Sequence, residues 1–189
     1  MQINRCSWGN LSDLMKEYHD HEWGKPVYDD IALFSKLMLD CQQAGLSWAI
    51  ILNKRTEFIK AFDGFNPFIV AHYDQKKVEE LLNNPGIVRN KLKINAMIHN
   101  SKLYLKHFSE KGSFTNFIWK HVDFKPQDHQ LSSLKDIPAT NEVSDQISLH
   151  LKKLGFKFVG STVVYAFLQA VGVYNDHLVS CFCHKKYHQ

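Results

Sequence analysis

The chain has 189 residues, enough to bury one sizeable core, or two small lobes sharing one, without help from disulfides. With 44% hydrophobic and 22% charged residues its composition is ordinary globular, and its net charge of +4 mildly favours an anionic partner without setting it apart from many metabolic enzymes. The N-terminal MQINRCSW lacks an apolar signal-type run and no segment reaches the roughly 18 consecutive apolar residues of a membrane span, so a soluble cytoplasmic protein is expected, with no membrane partner.

In chain order, YHDHEWG (Tyr18 to Gly24) comes first. It fits neither helical nor strand periodicity and reads as a special loop or a helix end, explained by what it touches elsewhere. DDIALFSKLMLDCQQAGL follows, with Asp29 and Asp30 as caps, Ile31, Leu33, Phe34, Leu37 and Met38 at helical spacing, and Gly45 as its stop. A second helix restarts at Ser47, Asn66-Pro67 opens a short one, and DQKKVEELL forms another. The segment NKLKINAMIHNSKLYLKHFSEKG predicts one long helix ending at Gly112, and SFTNFIWKHV one that Ser113 caps. Residues 123–143 have little periodicity and read as a loop. SDQISLHLKKLG then passes through FKFVG into STVVYAFLQAVG. There is no convincing strand pair, repeat or low-complexity tract, so the expected fold class is all-α.

Four features carry chemistry. NDHLVSC places His177 and Cys181 four apart, a spacing that puts two soft ligands on one helix face. Cys6 and His19 would complete a Cys2His2 set drawn from both ends of the chain, tethering an N-terminal segment with little apolar surface. The plainer alternative is a small buried Cys6 and a capping His177; in a reducing compartment all four cysteines read as thiols or metal ligands. LKKLGFKFVGSTVVYAF is a helix, a glycine-flanked turn and a helix, which can present a helix N-terminus to a phosphate. Gly155 and Gly160 would admit a nucleic-acid backbone, with Lys152, Lys153 and Lys157 for charge; an ordinary helical corner with solvated lysines explains the same residues. DCQQAGLSW suits a pocket floor, with Asp40 as an acceptor and Trp48 as a stacking face, and a small turn at Ala44, Gly45 and Leu46 projecting one apolar side chain. A core Trp48 and a solvated Asp40 are the alternative. Arg89, Lys91 and Lys93 in GIVRNKLKI are either phosphate contacts or a solvated helix start.

RCSW, YHDHEWGKP, QQAGLSW, GIVRNKLKI, LKKLGFKFVG and NDHLVSC occur in an order and register that resembles the bacterial DNA-3-methyladenine glycosylase I family, from about Arg5 to Cys183. The resemblance implies an all-α helix-hairpin-helix glycosylase, one unit over residues 1–189 with two helical lobes and the hairpin at about 144–173. It implies one structural Zn2+ joining the termini through Cys6, His19, His177 and Cys181, with Cys183 a spare thiol. It further implies base-binding aromatics at Trp8, Tyr18, Trp23 and Trp48, with His21 incidental, and a catalytic carboxylate at Asp40. Leu46, beside Gly45, would be the wedge that fills the gap left by a flipped nucleotide, and Gly155, Lys157 and Gly160 the backbone grip.

The reaction so implied is hydrolytic release of free 3-methyladenine from alkylated double-stranded DNA by a monomeric base-excision repair enzyme. The absence of a lysine from the pocket motifs points to a monofunctional glycosylase without a Schiff base. Three positions depart from the family: Asp40 stands where Glu is usual, Cys41 where Gly is common, and Met15 where a pocket tyrosine is frequent. One methylene fewer retracts the Asp40 carboxylate by about 1.5 Å, which lengthens a hydrogen bond or admits a bridging water. The competing function is a non-cutting binder of alkylated or abasic DNA with the same fold and zinc; a third is a purely structural zinc protein.

Overall fold

The computed structural model describes residues 4–185, and these are predominantly helical. Polar caps start most helices. Ser12 accepts from the Met15 amide to open α1 (Asp13–His21), so YHDHEWG is a helix end that turns out through Gly24. Asp29 caps α2 (Asp30–Gln43) by accepting from Ala32 N. Asp30 serves a longer-range purpose, because its carboxylate accepts from Gly112 N and Thr115 N and ties the start of α2 to the start of α7 (Ser113–Trp119). Between these lie α3 (Trp48–Ala61), α4 (Pro67–Val70), α5 (Gln75–Asn83) and α6 (Lys91–His107).

The long predicted helix ends earlier than expected, at His107 rather than Gly112, because Phe108 turns into the core. Gly112, left-handed at φ 82°, takes the N-cap position assigned to Ser113, which is instead the first helical residue. The final pair, α8 (Glu142–Lys153) and α9 (Ser161–Ala170), starts two residues ahead of the predicted Ser144, because Asn141 and Ser144 form a reciprocal capping box.

The all-α expectation holds for the bulk of the chain but misses one small pairing. Gln127–Asp128 (β1) runs parallel to Tyr174–Asn175 (β2), with Gln127 N donating to Val173 O. Two residues per strand are too few to show a period of two. The pairing pins the irregular 123–143 segment against the C-terminal segment, and Val179 N donating to Leu131 O extends the attachment.

Helix α2 runs through the main core, burying Leu33, Phe34, Leu37 and Met38 among Phe58, Phe62, Tyr104, Phe114, Trp119 and Phe167. Each such side chain contributes about 1.5 to 3 kcal/mol on burial. The last turn of α2 remains buried through Asp40, Cys41 and Gln42, so polar groups there need protein partners. Lys93 supplies one set: its Nζ, reaching from α6, donates to Gln42 O and Ala44 O at 2.7 Å each. Lys93 is therefore a buried cap on α2 and not the phosphate contact its sequence context suggested. Among the described residues no helix is long and apolar enough to cross a membrane.

Candidate functional site

A cavity of about 290 Å³ opens where α1, α2, α3 and α9 meet. Its walls include Trp8, Tyr18, Trp23 and Trp48, with Met15, Ala166 and Ile137, while Lys36, Asp40, Gln43 and Gln169 bring polar groups. All four aromatics expected of a base pocket, and Asp40, are thus brought together from well-separated segments. Tyr18 and Trp48 lie with ring centroids 5.1 Å apart, and Trp23 meets Trp8 edge-on at 5.0 Å. Met15 belongs to the same apolar cluster, so the position where a tyrosine is frequent still faces the cavity.

Asp40 is only 3% exposed. One of its oxygens pairs with Lys36 Nζ, one helical turn back, and the other has no protein partner. Burial pushes the Asp40 carboxyl above its ordinary range against the pull of Lys36, and burial pushes the Lys36 amine below its own against the pull of Asp40. The Lys36 nitrogen also lies 4.5 Å from the Trp48 ring centroid and 5.9 Å from that of Tyr18. The expectation that the pocket lacks a lysine is therefore corrected. Lys36 lies outside the short motifs, yet its spacing of four from Asp40 on an amphipathic helix was the signal that could have found it.

A second cluster sits behind the aromatic wall. Cys6, His19, His177 and Cys181 are all buried, and one ligand atom from each lies within 4.8 Å of the others. Cys181 Sγ is 3.5 Å from His19 Nε2 and 3.7 Å from His177 Nδ1, and Cys6 Sγ is 3.9 Å from His177 Nδ1. Ligand distances of about 2.3 Å for sulfur and 2.0 Å for nitrogen around a tetrahedral ion put S···N edges at about 3.5 Å, so the donor set fits such an ion.

The remaining ring nitrogens are held as second partners of metal-binding histidines commonly are. His19 Nδ1 meets Asp20 at 2.8 Å, and His177 Nε2 meets Trp23 O at 3.0 Å. Asp20 in turn takes a bidentate grip from Arg5. Burial pushes the Asp20 carboxyl up, but Arg5 and His19 together outweigh it and hold the group below its ordinary range. Hydrogen bonds from Cys183 and Cys6 hold the Cys181 thiol below its ordinary value, and the bond to Cys181, with burial, drives Cys6 up. Cys183 instead faces His19 Nδ1 at 4.0 Å, the nitrogen already used by Asp20.

His177 and Cys181 do not share a helix, contrary to the spacing argument. They lie on consecutive turns after β2, and Leu178 N points at Cys6 Sγ at 3.4 Å. His21 stays exposed, 3.8 Å from Glu17. The cluster and the cavity share a wall, since Trp23 packs edge-on against His177 at 4.7 Å and Trp8 against His19 at 5.0 Å. Gly172, which sequence reasoning passed over, lets the end of α9 meet the strap after Trp23: a Cβ there would come within 2.4 Å of Pro26 N.

Two further features lie at the surface. The 44–46 turn carries half-buried Leu46 on a left-handed Gly45 at φ 77°, with Leu46 N donating to Gln43 O. The α8–α9 connection turns through Gly155 at φ 98°. It is clamped from below, with Lys157 N donating to Asn100 Oδ1, Asn100 Nδ2 donating to Lys157 O, and Ser148 Oγ donating to Val159 O. Lys152, Lys153 and Lys157 point outward, and a Cβ at Gly160 would meet nothing within 4 Å.

The family model for methyladenine glycosylase matches residues 8–184. DNA-3-methyladenine glycosylase 1 of Escherichia coli (strain K12) is 42% identical over 182 residues, covering 96% of this chain and 97% of that protein. A crystal structure of 3-methyladenine DNA glycosylase I superposes with a TM-score of 0.92 at 44% identity, covering 96% of this chain and all of that one. A single Tyr-to-Phe variant of such an enzyme, solved in complex with 3-methyladenine, superposes with a TM-score of 0.91 at 38% identity, covering 99% of this chain and all of that one. With likeness of this extent in both sequence and fold, the chain belongs to the methyladenine glycosylase family, the DNA N-glycosylases that hydrolyse the bond joining a base to its sugar.

Proposed function

We propose that this chain removes 3-methyladenine from alkylated duplex DNA by flipping the nucleotide into the aromatic cavity and hydrolysing its N-glycosidic bond, as a monofunctional enzyme. The observation that carries the reading is the cavity itself, walled by Trp8, Tyr18, Trp23 and Trp48 with one unpartnered oxygen of buried Asp40. Flipping is cheapest for a damaged base that stacks and pairs poorly. Methylation at N3 makes the base cationic, so it departs with the electrons of the C1′–N9 bond and leaves neutral, while water supplies the new oxygen at C1′ and gives up a proton.

With the leaving group already activated, the protein contributes mainly binding and orientation. Trp48 and Tyr18 stack on the purine plane, at about 0.5 to 2 kcal/mol per π contact with a cationic ring. The free oxygen of Asp40 accepts from the base's N–H groups, directly or through one water, which compensates for the shorter side chain. Lys36 is held on Asp40 and across Trp48, so its nitrogen is engaged and not free to attack a sugar.

Cys6, His19, His177 and Cys181 would hold one structural Zn2+, which supplies a cross-link between the two ends of the chain and keeps no position for a reactive water. These ligands fix Trp8 and Trp23 through the shared wall. Leu46 serves as the wedge. The α8–α9 unit serves as the helix-hairpin-helix at about 144–173, with the open face at Gly160, the N-terminus of α9 and Lys157 on a backbone phosphate. A single unit of two helical lobes over residues 1–189, monomeric and cytoplasmic, completes the reading.

Chromatography of the bases released from methylated duplex DNA is the deciding assay. Release of 3-methyladenine that depends on Asp40 supports the glycosylase. Tight lesion binding without release would establish the non-cutting reader in its place.

A further inference from the structure

Helix α9 brings one polar side chain to the cavity, Gln169, and its amide is held from behind. Gln169 Nε2 donates to Asp176 Oδ2 at 2.7 Å. The same oxygen accepts from the Tyr165 hydroxyl at 2.7 Å, and the other oxygen of Asp176 lies 2.6 Å from His129 Nδ1. Asp176 is fully buried, and His129 reaches it from the segment that the β1–β2 pairing pins in place.

A carboxylate accepts hydrogen bonds and has none to give. The end of the Gln169 amide that faces Asp176 must therefore be its NH2 group, which leaves Oε1 as the end available to the cavity. Oε1 has no partner among the described residues. Gln43, also on the lining, has no such clamp and can present either end of its amide. The cavity thus fixes two acceptors, the free oxygen of Asp40 and Gln169 Oε1. In a 3-methyladenine nucleotide N9 carries the sugar and N3 the methyl group, so every N–H of the base sits on the amino group at position 6. That group has two hydrogens and can satisfy two acceptors. The carbonyl oxygen at position 6 of guanine or hypoxanthine satisfies neither, and it leaves a desolvated acceptor unpaired.

We propose that Gln169 is a specificity-determining residue of the base site: Asp176 locks its amide so that Oε1 reads the 6-amino group of adenine and rejects purines that carry a carbonyl there. Asp176, itself positioned by His129, acts through Gln169 and not on the base. This rests on the reading of the cavity as the base site. It adds a discrimination between methylated adenine and methylated guanine that charge cannot make, because methylation at N3 renders either nucleotide's base cationic.

The test is a binding titration followed by tryptophan fluorescence, with two free bases that carry an amino donor or a carbonyl acceptor at position 6: 3-methyladenine and 3-methylhypoxanthine. Wild type is expected to bind 3-methyladenine more tightly by about tenfold or more, the worth of a buried polar group paired against one left unpaired. Gln169→Met keeps the length of the side chain and removes its acceptor, and should bring the ratio of the two affinities close to one. Asp176→Asn should lower the ratio as well, because an asparagine NH2 can donate to Oε1 and turn Nε2 toward the cavity. A merely structural defect at Asp176 would instead weaken both probes alike. Should Asp176→Asn fail to fold, Gln169→Met decides alone. An unchanged ratio in Gln169→Met overturns the proposal, as does equal binding of the two bases by wild type or failure of 3-methyladenine to bind. Base release from methylated duplex DNA, measured in parallel, separates this from the glycosylase reading. Release by wild type with an unchanged ratio in Gln169→Met sinks only the role of Gln169, and a lowered ratio without release sinks only the excision.

Discussion

Removing the charge of Asp40 should cost stability as well as activity, and the size of the cost tests the buried pair. Asp40→Asn leaves the Lys36 ammonium, whose side chain is 18% exposed, without its counter-ion. The lost attraction is about 4 kcal/mol at contact for an effective dielectric constant near 20, and breaking one half of a buried pair typically destabilises by about 3 to 5 kcal/mol. That is a large part of the roughly 5 to 15 kcal/mol that holds an ordinary domain folded.

The pH dependence has a definite sign. Burial already holds the Lys36 amine below its ordinary 10.5, and Asp40 is the main influence raising it, so the variant's amine falls further. Between that lowered folded value and 10.5 the unfolded chain binds more protons than the folded one, so the variant's stability rises with pH across this window. Its deficit is therefore largest below that window and shrinks as the pH rises through it. Lys36→Met combined with Asp40→Asn should recover about 2 kcal/mol or more relative to the single Asn variant, because no unpaired charge remains. Urea unfolding of metal-saturated protein, followed by far-ultraviolet circular dichroism, gives these values. Strict additivity of the two substitutions would refute the buried-pair account.

Cys181→Ala should lose the bound metal and loosen the segment around Cys6, checked by metal analysis and by protease cleavage near the N-terminus; full metal retention would move the fourth ligand to Cys183 or refute the site. Leu46→Gly should weaken base release from duplex DNA about tenfold or more while leaving binding of a free purine nearly unchanged, because a wedge acts on the opened duplex and not on the base. Gly172→Ala should destabilise by about 2 to 4 kcal/mol, since its Cβ would collide with backbone at Pro26, Lys25 and Gly24, and tryptophan fluorescence should report a displaced Trp23; a silent substitution would contradict the close approach.

Local patterns were enough to place most of the helices and their caps. Asp29, Asn66, Asp74 and Asn90 each cap the helix they precede, because a side-chain oxygen two or three residues ahead of a free amide acts within one turn of chain. The Cys and His candidates and the pocket aromatics were legible for a different reason: long mixed motifs keep them in register with a known family. Where the pattern misled, a distant partner had decided the matter. Lys93 looked like a surface charge until the buried end of α2 supplied two carbonyls for it.

The amino-acid order by itself determined the helical class and the family, and the resemblance to that family singled out Cys6, His19, His177 and Cys181, which the fold buries together. Only the tertiary structure decided that His177 and Cys181 converge through turns instead of a helix, that Ile137 and Gln169 complete the cavity wall, and that Lys36 shares the cavity with Asp40. The reason is physical: the charge balance of a pocket, and the cost of each buried ion, depend on which groups the fold brings within a few ångströms and hides from water, and no local spacing encodes that.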